Sequence, residues 1–224
     1  MSVGRSVGIL GGTFDPIHLG HLRAAEEVRE AQQLDELWFV PAAIPPHKEP
    51  GGIVAASHRL RMVDLAIRDV PGFRVSPIEL DRTGPSYSVD TIRAVRTQLG
   101  DDARLVFILG FDAFREFHTW REHATIFGLC DVVVVTRPPA PPRLTIEEIP
   151  LAAREAFWYD SGSEVFRHQS GHVLTLQRIT ALDIAAATIR AHVAAGRSIR
   201  FLVPASVEAY IAAHQLYRSE VVSR

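Results

Sequence analysis

The chain has 224 residues, of which 47% are hydrophobic and 22% are charged, and its formal net charge is −2. Such a chain is long enough to bury a sizeable core without disulfides or structural metals. Near-neutral charge and the lack of a Lys/Arg block argue against a nucleic-acid or membrane surface, and no apolar run is long enough to span a bilayer. The single cysteine, Cys130, excludes an internal disulfide and fits a reducing compartment, so we expect a cytoplasmic protein.

Strand-like and helix-like segments alternate along the chain. The predicted strands cover 6–10, 36–42, 73–80, 104–110, 131–136 and 172–177, and the predicted helices cover 21–34, 57–69, 88–100, 184–196 and 205–217. Ser57 is expected to cap the second helix, with Leu60, Val63 and Ile67 on its buried face, and Gly100 to end the third. The alternation predicts an α/β fold: a doubly wound (Rossmann-like), mostly parallel sheet with helices on both faces and a small C-terminal helical part.

Two segments interrupt this alternation. Residues 41–57 are rich in Pro and Gly and are expected to form a loop after the second strand. Residues 137–172 begin with a proline cluster, which cannot continue a strand. We interpret 138–172 as a surface excursion with a short helix, so that residues 1–224 form a single domain.

The most informative stretch is GILGGTFDPIHLGHLRAAEEV, residues 8–28. Gly11 and Gly12 are expected to form a turn that lets a ligand approach the backbone. The helix N-terminus that follows is a natural phosphate site. His18 and His21 are neighbours at that helix start and can donate to phosphate oxygens, the alternative being two incidental histidines. The spacing is neither that of a Walker A loop nor Gly-x-Gly-x-x-Gly.

Other polar residues follow predicted strands. In an open α/β sheet, ligands bind beyond the carboxyl ends of the strands, near the switch in strand order. The first loop, the 41–57 loop, Asp112 after Gly110, and Arg137 all lie at such ends. A ligand site is therefore expected where they converge.

The string GGTFDPIHLGH resembles the signature of nucleotidyltransferases whose His-x-Gly-His motif binds ATP phosphates, a superfamily that includes the class I aminoacyl-tRNA synthetases. Within it, the chain resembles bacterial nicotinate-nucleotide adenylyltransferases from VGILGGTFDP to HQLY near the C-terminus. PPHK (45–48), SYSVDT (86–91), LGFDAFREFHTW (109–120) and VVVTRP (133–138) carry the likeness, whereas 139–172 have no counterpart.

This resemblance implies that the phosphate of nicotinate mononucleotide attacks the α-phosphorus of ATP, giving nicotinic acid adenine dinucleotide and pyrophosphate on the route to NAD. Since the nucleophile is already an anion, the protein has to supply alignment and charge neutralisation rather than a strong base. Mg²⁺ is expected to be delivered with ATP, and the residue patterns predict no protein metal site. The implied partners are these two small molecules, without nucleic acid or membrane, and a homo-oligomer is compatible with the sequence.

The resemblance also assigns residue roles. The implied catalytic residues are His18, His21, Lys48 and Arg190; the ATP-binding residues are Gly11, Gly12, Thr13, Phe14, His18, His21, Ile184 and Arg190; the substrate-binding residues are Asp15, Lys48, Thr91, Asp112, Trp120, Arg121 and Arg137. Trp120 would stack on the pyridine ring, and the amides near Thr91 and Arg121 would hold the nicotinate carboxylate. The structural alternatives include a core tryptophan, a solubilising Lys48 beside His47, and an N-cap at Asp112.

The chain departs from the family pattern at IAAATIR, residues 184–190. The family usually reads Ile-Ser-Ser-Thr-x-Ile-Arg, so Ala185, Ala186 and Ala187 replace three hydroxyl residues. Each lost hydroxyl hydrogen bond would be worth roughly 0.5–1.5 kcal/mol, while backbone N–H groups at the helix start can still bind phosphate. This predicts weaker ATP binding rather than an inactive site. Arg190 lies near a helix start, where the dipole disfavours a cation unless an anion is bound.

Three other functions compete with this one. A sister enzyme, such as a nicotinamide mononucleotide, phosphopantetheine or cytidylyl transferase, shares the first motif, and the later motifs argue against most of these. A non-catalytic nucleotide-binding sensor would account for the three alanines, and binding without turnover would favour it. An NAD-dependent dehydrogenase lacks the glycine fingerprint. The preference for acid over amide would depend on main-chain donors, which the sequence hardly reveals.

Overall fold

The computed structural model describes residues 4–45, 52–136 and 143–218. Within them, eight strands form one sheet in the order β3-β2-β1-β4-β5-β8-β7-β6. The strands are β1 (Ser6–Gly12), β2 (Glu36–Pro41), β3 (Phe73–Val75), β4 (Arg104–Gly110), β5 (Asp131–Thr136), β6 (Phe157–Asp160), β7 (Val165–His168) and β8 (Val173–Arg178). β1 to β5 and β8 are parallel; β7 pairs antiparallel with β8, and β6 pairs antiparallel with β7. The predicted mostly parallel sheet is confirmed.

Helices cover both faces of the sheet. One face carries α1 (Leu19–Ala31), α2 (Ala56–Ile67), α6 (Ala186–Ala194) and α7 (Ala205–Ala213); the other carries α3 (Ser88–Leu99), α4 (Phe111–Arg115) and α5 (His123–Ile126). Successive strand side chains feed opposite core layers, as Phe107 and its neighbour Ile108 do. No helix in this described part of the chain is long and apolar enough to cross a bilayer.

The chain reverses its winding direction between β1 and β4. The helix after β1 packs on one face, and the helices after β4 pack on the other. The loops that follow these two neighbouring strands therefore lead to opposite faces of the sheet and leave a crevice between them. Open α/β sheets bind ligands at this position.

The third strand is shorter than predicted. β3 pairs with β2 only over Phe73–Val75, not over 73–80. Pro77 has no N–H to donate to a ladder, and its carbonyl instead accepts from the N–H of Leu80 in a turn. At the end of α3, Gly100 takes a φ of +85° and ends the helix, as predicted.

The second helix differs from prediction at its start and on its buried face. Its N-cap is Ala55 and makes no side-chain cap, so the expected cap by Ser57 is wrong. Its buried residues are Arg59, Met62, Val63 and Ile67, whereas the predicted Leu60 is only partly buried. Arg59 and Met62 therefore belong to the buried face in addition to the predicted Val63 and Ile67.

The segment interpreted as a surface excursion contributes to the sheet and the core. Residues 137–142 lie outside the described part, but beyond them come two 3₁₀ turns, Ile146–Glu148 and Leu151–Ala156, and then β6 and β7. Leu144, Ile149, Phe157 and Phe166 belong to the core layer beneath α3. The segment thus contains the expected short helical structure in 3₁₀ form, but it is an antiparallel extension of the sheet rather than a surface excursion. Strands of four residues with little apolar alternation did not predict this extension.

Candidate active site

The first loop begins at the carboxyl edge of the sheet, next to the end of β4. Leu10 pairs with Ile108, so Gly12 and Gly110, each two residues further on, reach the same edge. Gly11 and Gly12 are still in β1, paired with Val40 and Pro41. The predicted Gly-Gly turn is wrong: both glycines are extended, and the chain turns after them.

The residue that turns the chain is Phe14, at φ +48°. Its ring is buried at 2% exposure, and a Cβ added to Gly12 would lie 3.0–3.3 Å from it. Gly12 is therefore needed because the ring folds back over the strand end. The same ring meets the His21 imidazole edge-on, with centroids 5.1 Å apart. Phe14, predicted to contact ATP, supports the histidine from below.

His18 and His21 form a stacked pair at the start of α1. Their ring centroids are 3.7 Å apart, and the planes are inclined by 25°. His18 is the N-cap residue, and its backbone N–H donates to His21 Nδ1 at 3.3 Å. The neutral His21 ring then carries its proton on Nε2, the nitrogen that can donate to a phosphate. A Cβ on Gly20 would lie 3.0 Å from His18 Nδ1, so the glycine of His-x-Gly-His makes room for the ring.

The first N–H groups of α1 are less open than predicted. The N–H of Leu19 donates to the Leu202 carbonyl at 2.9 Å, and the N–H of His21 donates to the His18 carbonyl at 3.0 Å. Two of the first three helix donors are thus used within the chain. The imidazoles, rather than these amides, are the main hydrogen-bonding groups that α1 can offer an anion.

The start of α6 lies beside the start of α1. A Cβ on Gly20 would come within 3.8 Å of Ile184 Cβ. From the first turns of α6, Arg190 reaches back and donates from Nη1 to the backbone carbonyl of Asp15 at 2.7 Å. Its side chain keeps 32% of its surface exposed. The structure therefore brings together the predicted phosphate residues His18, His21, Ile184 and Arg190.

Asp15 is held from the C-terminal end of the chain, a contact that sequence reasoning missed. The Tyr217 hydroxyl donates to Asp15 Oδ1 at 2.7 Å, and Asp15 Oδ2 lies 3.7 Å from Arg190 Nη1. Asp15 is 3% exposed. Burial, followed by the charge of Asp15 and this hydrogen bond, raises the pKa of Tyr217 far above its ordinary value, so the hydroxyl is the donor. The predicted substrate ligand Asp15 has its partners within the chain.

Arg59 is a second missed residue, 1% exposed on the buried face of α2. It donates from Nη1 to the Thr13 carbonyl at 2.7 Å, from Nε to the Val54 carbonyl at 2.9 Å and from Nη2 to the Ala43 carbonyl at 3.2 Å. Burial lowers the pKa of Arg59, and the negative charge of Asp15 counteracts this. The signal in the sequence was its place at helical spacing from buried Met62 and Val63.

One guanidinium thus joins the first loop to both ends of the connection between β2 and α2. Val54 and Ala43 flank the segment that contains Lys48 and His47, and residues 46–51 lie outside the described part. Ser86 of the SYSVDT motif adds a tether, because its Oγ accepts from the N–H of Ala43 at 2.9 Å. Arg137 likewise falls outside the described residues, directly after β5.

Thr91 has partners inside the chain and is 2% exposed. Its hydroxyl donates to Glu79 Oε1 at 2.5 Å and its backbone N–H to the Tyr87 carbonyl at 3.2 Å. Arg82 Nη2 donates to the same hydroxyl at 3.4 Å. As arranged here, Thr91 connects Arg82 and Glu79.

The remaining predicted substrate residues lie on the α4–α5 side of the crevice. Trp120 is partly buried, with ring centroids 5.0 Å from Phe117 and 6.2 Å from Phe107. Arg121 is half exposed, with its guanidinium 4.9 Å from the Tyr87 ring centroid. Asp112 is exposed in the first turn of α4, whose N-cap is Gly110, so the alternative of an N-cap aspartate is not realised.

A protein-based metal centre is not formed by the described residues. Among 4–45, 52–136 and 143–218, no group of three or more His, Cys, Asp or Glu side chains could hold a metal ion. With Asp15 held by Tyr217, a magnesium ion at the phosphate side would depend on ATP oxygens for most of its ligands.

The fold and site define a class of nucleotidyltransferases, and comparison with known proteins agrees. The family model described as cytidylyltransferase-like matches residues 9–190. A protein of Syntrophotalea carbinolica named probable nicotinate-nucleotide adenylyltransferase is 47% identical over 214 residues, covering 96% of this chain and 98% of the relative. A protein of the same name from Citrifermentans bemidjiense is 47% identical over 211 residues, covering 94% and 97%.

Solved structures with similar folds include two of Plasmodium falciparum nicotinic acid mononucleotide adenylyltransferase. The one complexed with NaAD has a TM-score of 0.72 at 16% identity, and the one complexed with APC has 0.69 at 15%; both cover 95% of this chain and 97% of theirs. At such identities they establish the fold alone. Through its family match and curated relatives, the chain belongs to the cytidylyltransferase-like family and, within it, to the nicotinate-nucleotide adenylyltransferases. The resemblance noted from the sequence is confirmed.

Proposed function

We propose that this chain transfers the adenylyl group of ATP to nicotinate mononucleotide by direct in-line attack. An oxygen of the mononucleotide phosphate bonds to the α-phosphorus of ATP, and the bond between that phosphorus and the oxygen bridging to the β-phosphorus breaks. The products are nicotinic acid adenine dinucleotide and pyrophosphate, and no enzyme group is covalently modified. Since the attacking oxygen is anionic at neutral pH, catalysis depends on alignment and on neutralising charge.

The observation that supports this proposal most is the convergence of His18, His21 and Arg190 at the switch between β1 and β4. The two stacked rings and the guanidinium come from two adjacent helix starts. Hydrogen bonds from the imidazoles and the positive charge of the guanidinium would stabilise a triphosphate and the charge that develops on pyrophosphate, without a nucleophilic side chain. The backbone of Gly11, Gly12 and Thr13 would form the floor beneath them.

We assign the nicotinate mononucleotide to the crevice beside α4. Trp120 would stack on the pyridine ring with the face that Phe117 does not cover, and Asp112 would accept from a ribose hydroxyl. Since Thr91 is committed to Glu79, the nicotinate carboxylate would depend on main-chain amides near Arg121. Lys48 and Arg137 are proposed to supply further positive charge, in accordance with their place after β2 and β5.

Magnesium is proposed to arrive with ATP. When bound, it would neutralise part of the phosphate charge, Arg190 would neutralise a further part, and the histidines would donate hydrogen bonds to the phosphate oxygens. The side chains of this chain would then contact phosphate oxygens rather than the ion.

The test is a chromatographic assay with ATP and Mg²⁺, offering nicotinate mononucleotide and nicotinamide mononucleotide in parallel. We expect dinucleotide and pyrophosphate in equal amounts from the acid, with a much lower rate from the amide. A faster reaction with the amide would contradict the assigned substrate. If the protein binds ATP but forms no product in either reaction, a non-catalytic nucleotide sensor would be favoured, the hypothesis that the alanines at 185–187 support.

A further inference from the structure

Tyr217, the tyrosine of HQLY, has no part in the reaction as proposed, yet it contacts the first loop of the candidate site. Tyr217 follows α7 and lies 202 residues from Asp15 in the sequence, and its hydroxyl donates to Asp15 Oδ1 at 2.7 Å. The ring packs on the core layer that also contains Phe14 and Ile17. The last turn of the described chain is thus fastened under the first loop of the site.

Asp15 faces two groups that compete for it. Its Oδ1 accepts from Tyr217, and its Oδ2 stands 3.7 Å from Arg190 Nη1, which binds the Asp15 backbone carbonyl instead. The nearby cation Arg59 has its guanidinium nitrogens engaged with the carbonyls of Thr13, Ala43 and Val54. A carboxylate that is 3% exposed requires donors, so it would recruit Arg190 if the hydroxyl were absent.

We propose that Tyr217 is a positioning residue for the ATP site: its hydroxyl satisfies the Asp15 carboxylate and thereby leaves the Arg190 guanidinium for the triphosphate. The inference rests on the proposed function, because it assigns Arg190 to the phosphates. Without the hydroxyl, Arg190 turns from the backbone carbonyl to both carboxylate oxygens, and binding ATP must first break that pair. The affinity for ATP therefore falls, whereas the affinity for the pyridine nucleotide does not change.

The experiment compares Tyr217→Phe with the matched variant Tyr210→Phe. Tyr210 lies in α7, and its hydroxyl also has one side-chain partner, His58 Nδ1 at 2.9 Å, so each change deletes one comparable contact. We expect Tyr217→Phe to raise the KM for ATP about tenfold, with kcat and the KM for nicotinate mononucleotide within about twofold of wild type. Tyr210→Phe should leave all three within about twofold. Both variants should show similar small losses of Tm.

A rescue separates positioning from a merely structural role. Asp15→Asn removes the charge that captures Arg190 but keeps the shape of the side chain. The double variant Asp15→Asn with Tyr217→Phe should therefore have a lower KM for ATP than Tyr217→Phe alone. An unchanged KM in Tyr217→Phe, or a double variant no better than the single one, would overturn the inference.

Failure of the proposed function is distinguishable from failure of this inference. If wild-type protein shows no turnover, the proposed reaction is wrong, and calorimetric ATP affinity decides the role of Tyr217. A roughly tenfold rise in Kd for Tyr217→Phe, absent in Tyr210→Phe, would still support the positioning role. Equal affinities in the two variants would overturn it.

Discussion

The two helices that begin at the proposed phosphate side of the crevice are built in different ways. At the start of α1, side chains supply the polar groups and hold each other in place. The backbone N–H of His18 donates to His21, the two rings stack, and the Phe14 ring packs against His21. At the start of α6, the N-cap is Ala185 and no side chain caps the helix. Thr188 lies exposed in the first turn of α6, and Arg190, further along the helix, reaches the Asp15 carbonyl in the first loop.

The difference leads us to predict that side chains at α1 and main-chain N–H groups at α6 would bind the same triphosphate. α1 has spent the N–H groups of Leu19 and His21 inside the chain and presents imidazoles. α6 begins with Ala185, Ala186 and Ala187, where the resemblance noted from the sequence implies hydroxyl residues, and its first N–H groups remain the hydrogen-bonding groups that the helix start itself can provide. Removing side chains at the start of α1 should therefore lower kcat/KM strongly. Adding hydroxyl side chains at the start of α6 should lower the KM for ATP.

The largest effect should come from breaking the α1 side. His18→Ala should lower kcat/KM by roughly 10²–10³-fold, because it removes a donor to charge that develops in the transition state. Steady-state kinetics with both substrates measures this, and circular dichroism checks the fold. The control is His214→Ala, an exposed histidine after α7. A rate within twofold of wild type would remove His18 from the mechanism.

The next largest effect should come from changing Arg59, which joins the first loop to the connection between β2 and α2. Arg59→Lys keeps the charge, but a single ammonium cannot reach the three carbonyls that the guanidinium joins. We expect kcat/KM to fall about tenfold through misplacement of the loops, and the free energy of unfolding in urea to fall by about 1–3 kcal/mol.

The matched control for this change is Arg61→Lys on the same helix. Arg61 is half exposed and pairs with Asp64, so both quantities should stay near wild type. Similar effects from the two substitutions would show that Arg59 has no special place in the site.

The α6 side should respond in the opposite direction and more weakly. Ala186→Ser combined with Ala187→Thr restores hydroxyls at the helix start, each worth about 0.5–1.5 kcal/mol if it bonds to phosphate. The KM for ATP should fall about 2–10-fold per hydroxyl, with kcat little changed. An unchanged or higher KM would mean that the added hydroxyls make no hydrogen bond to the triphosphate and that main-chain N–H groups alone bind it at α6.

The smallest effect concerns the helix itself. Ala185 occupies the N-cap with no side-chain hydrogen bond, and serine is a favoured residue there. Ala185→Ser should raise the free energy of unfolding by about 1 kcal/mol, measured by urea denaturation of the ATP-free protein. Ala194→Ser, at the other end of α6, should give no stabilisation.

Much of this molecule followed from local patterns in the sequence. The alternation of apolar runs and amphipathic segments was sufficient for the parallel sheet, since buried parallel strands and packed helices have distinct periods. His-x-Gly-His is confined to four residues at one helix start, so its pairing of His18 with His21 was also readable. Gly100 marked a helix end because its backbone must turn left-handed there.

Other features depended on residues far apart in the chain. Tyr217 meets Asp15 across 202 positions, and Arg59 meets Thr13 across 46, because the crevice brings separate loops to one edge of the sheet. The Gly-Gly pair stayed extended because β2 pairs with it, and the turn moved to Phe14. The strand β7 pairs with the edge of β8, and β6 pairs with β7, so both depend on a strand that follows them in the chain. The sequence by itself determined the parallel strands, the long helices and the chemical groups of the candidate site. Tertiary packing decided the antiparallel strands and which polar groups hold others in place, because burial and hydrogen bonding are settled only when distant segments meet.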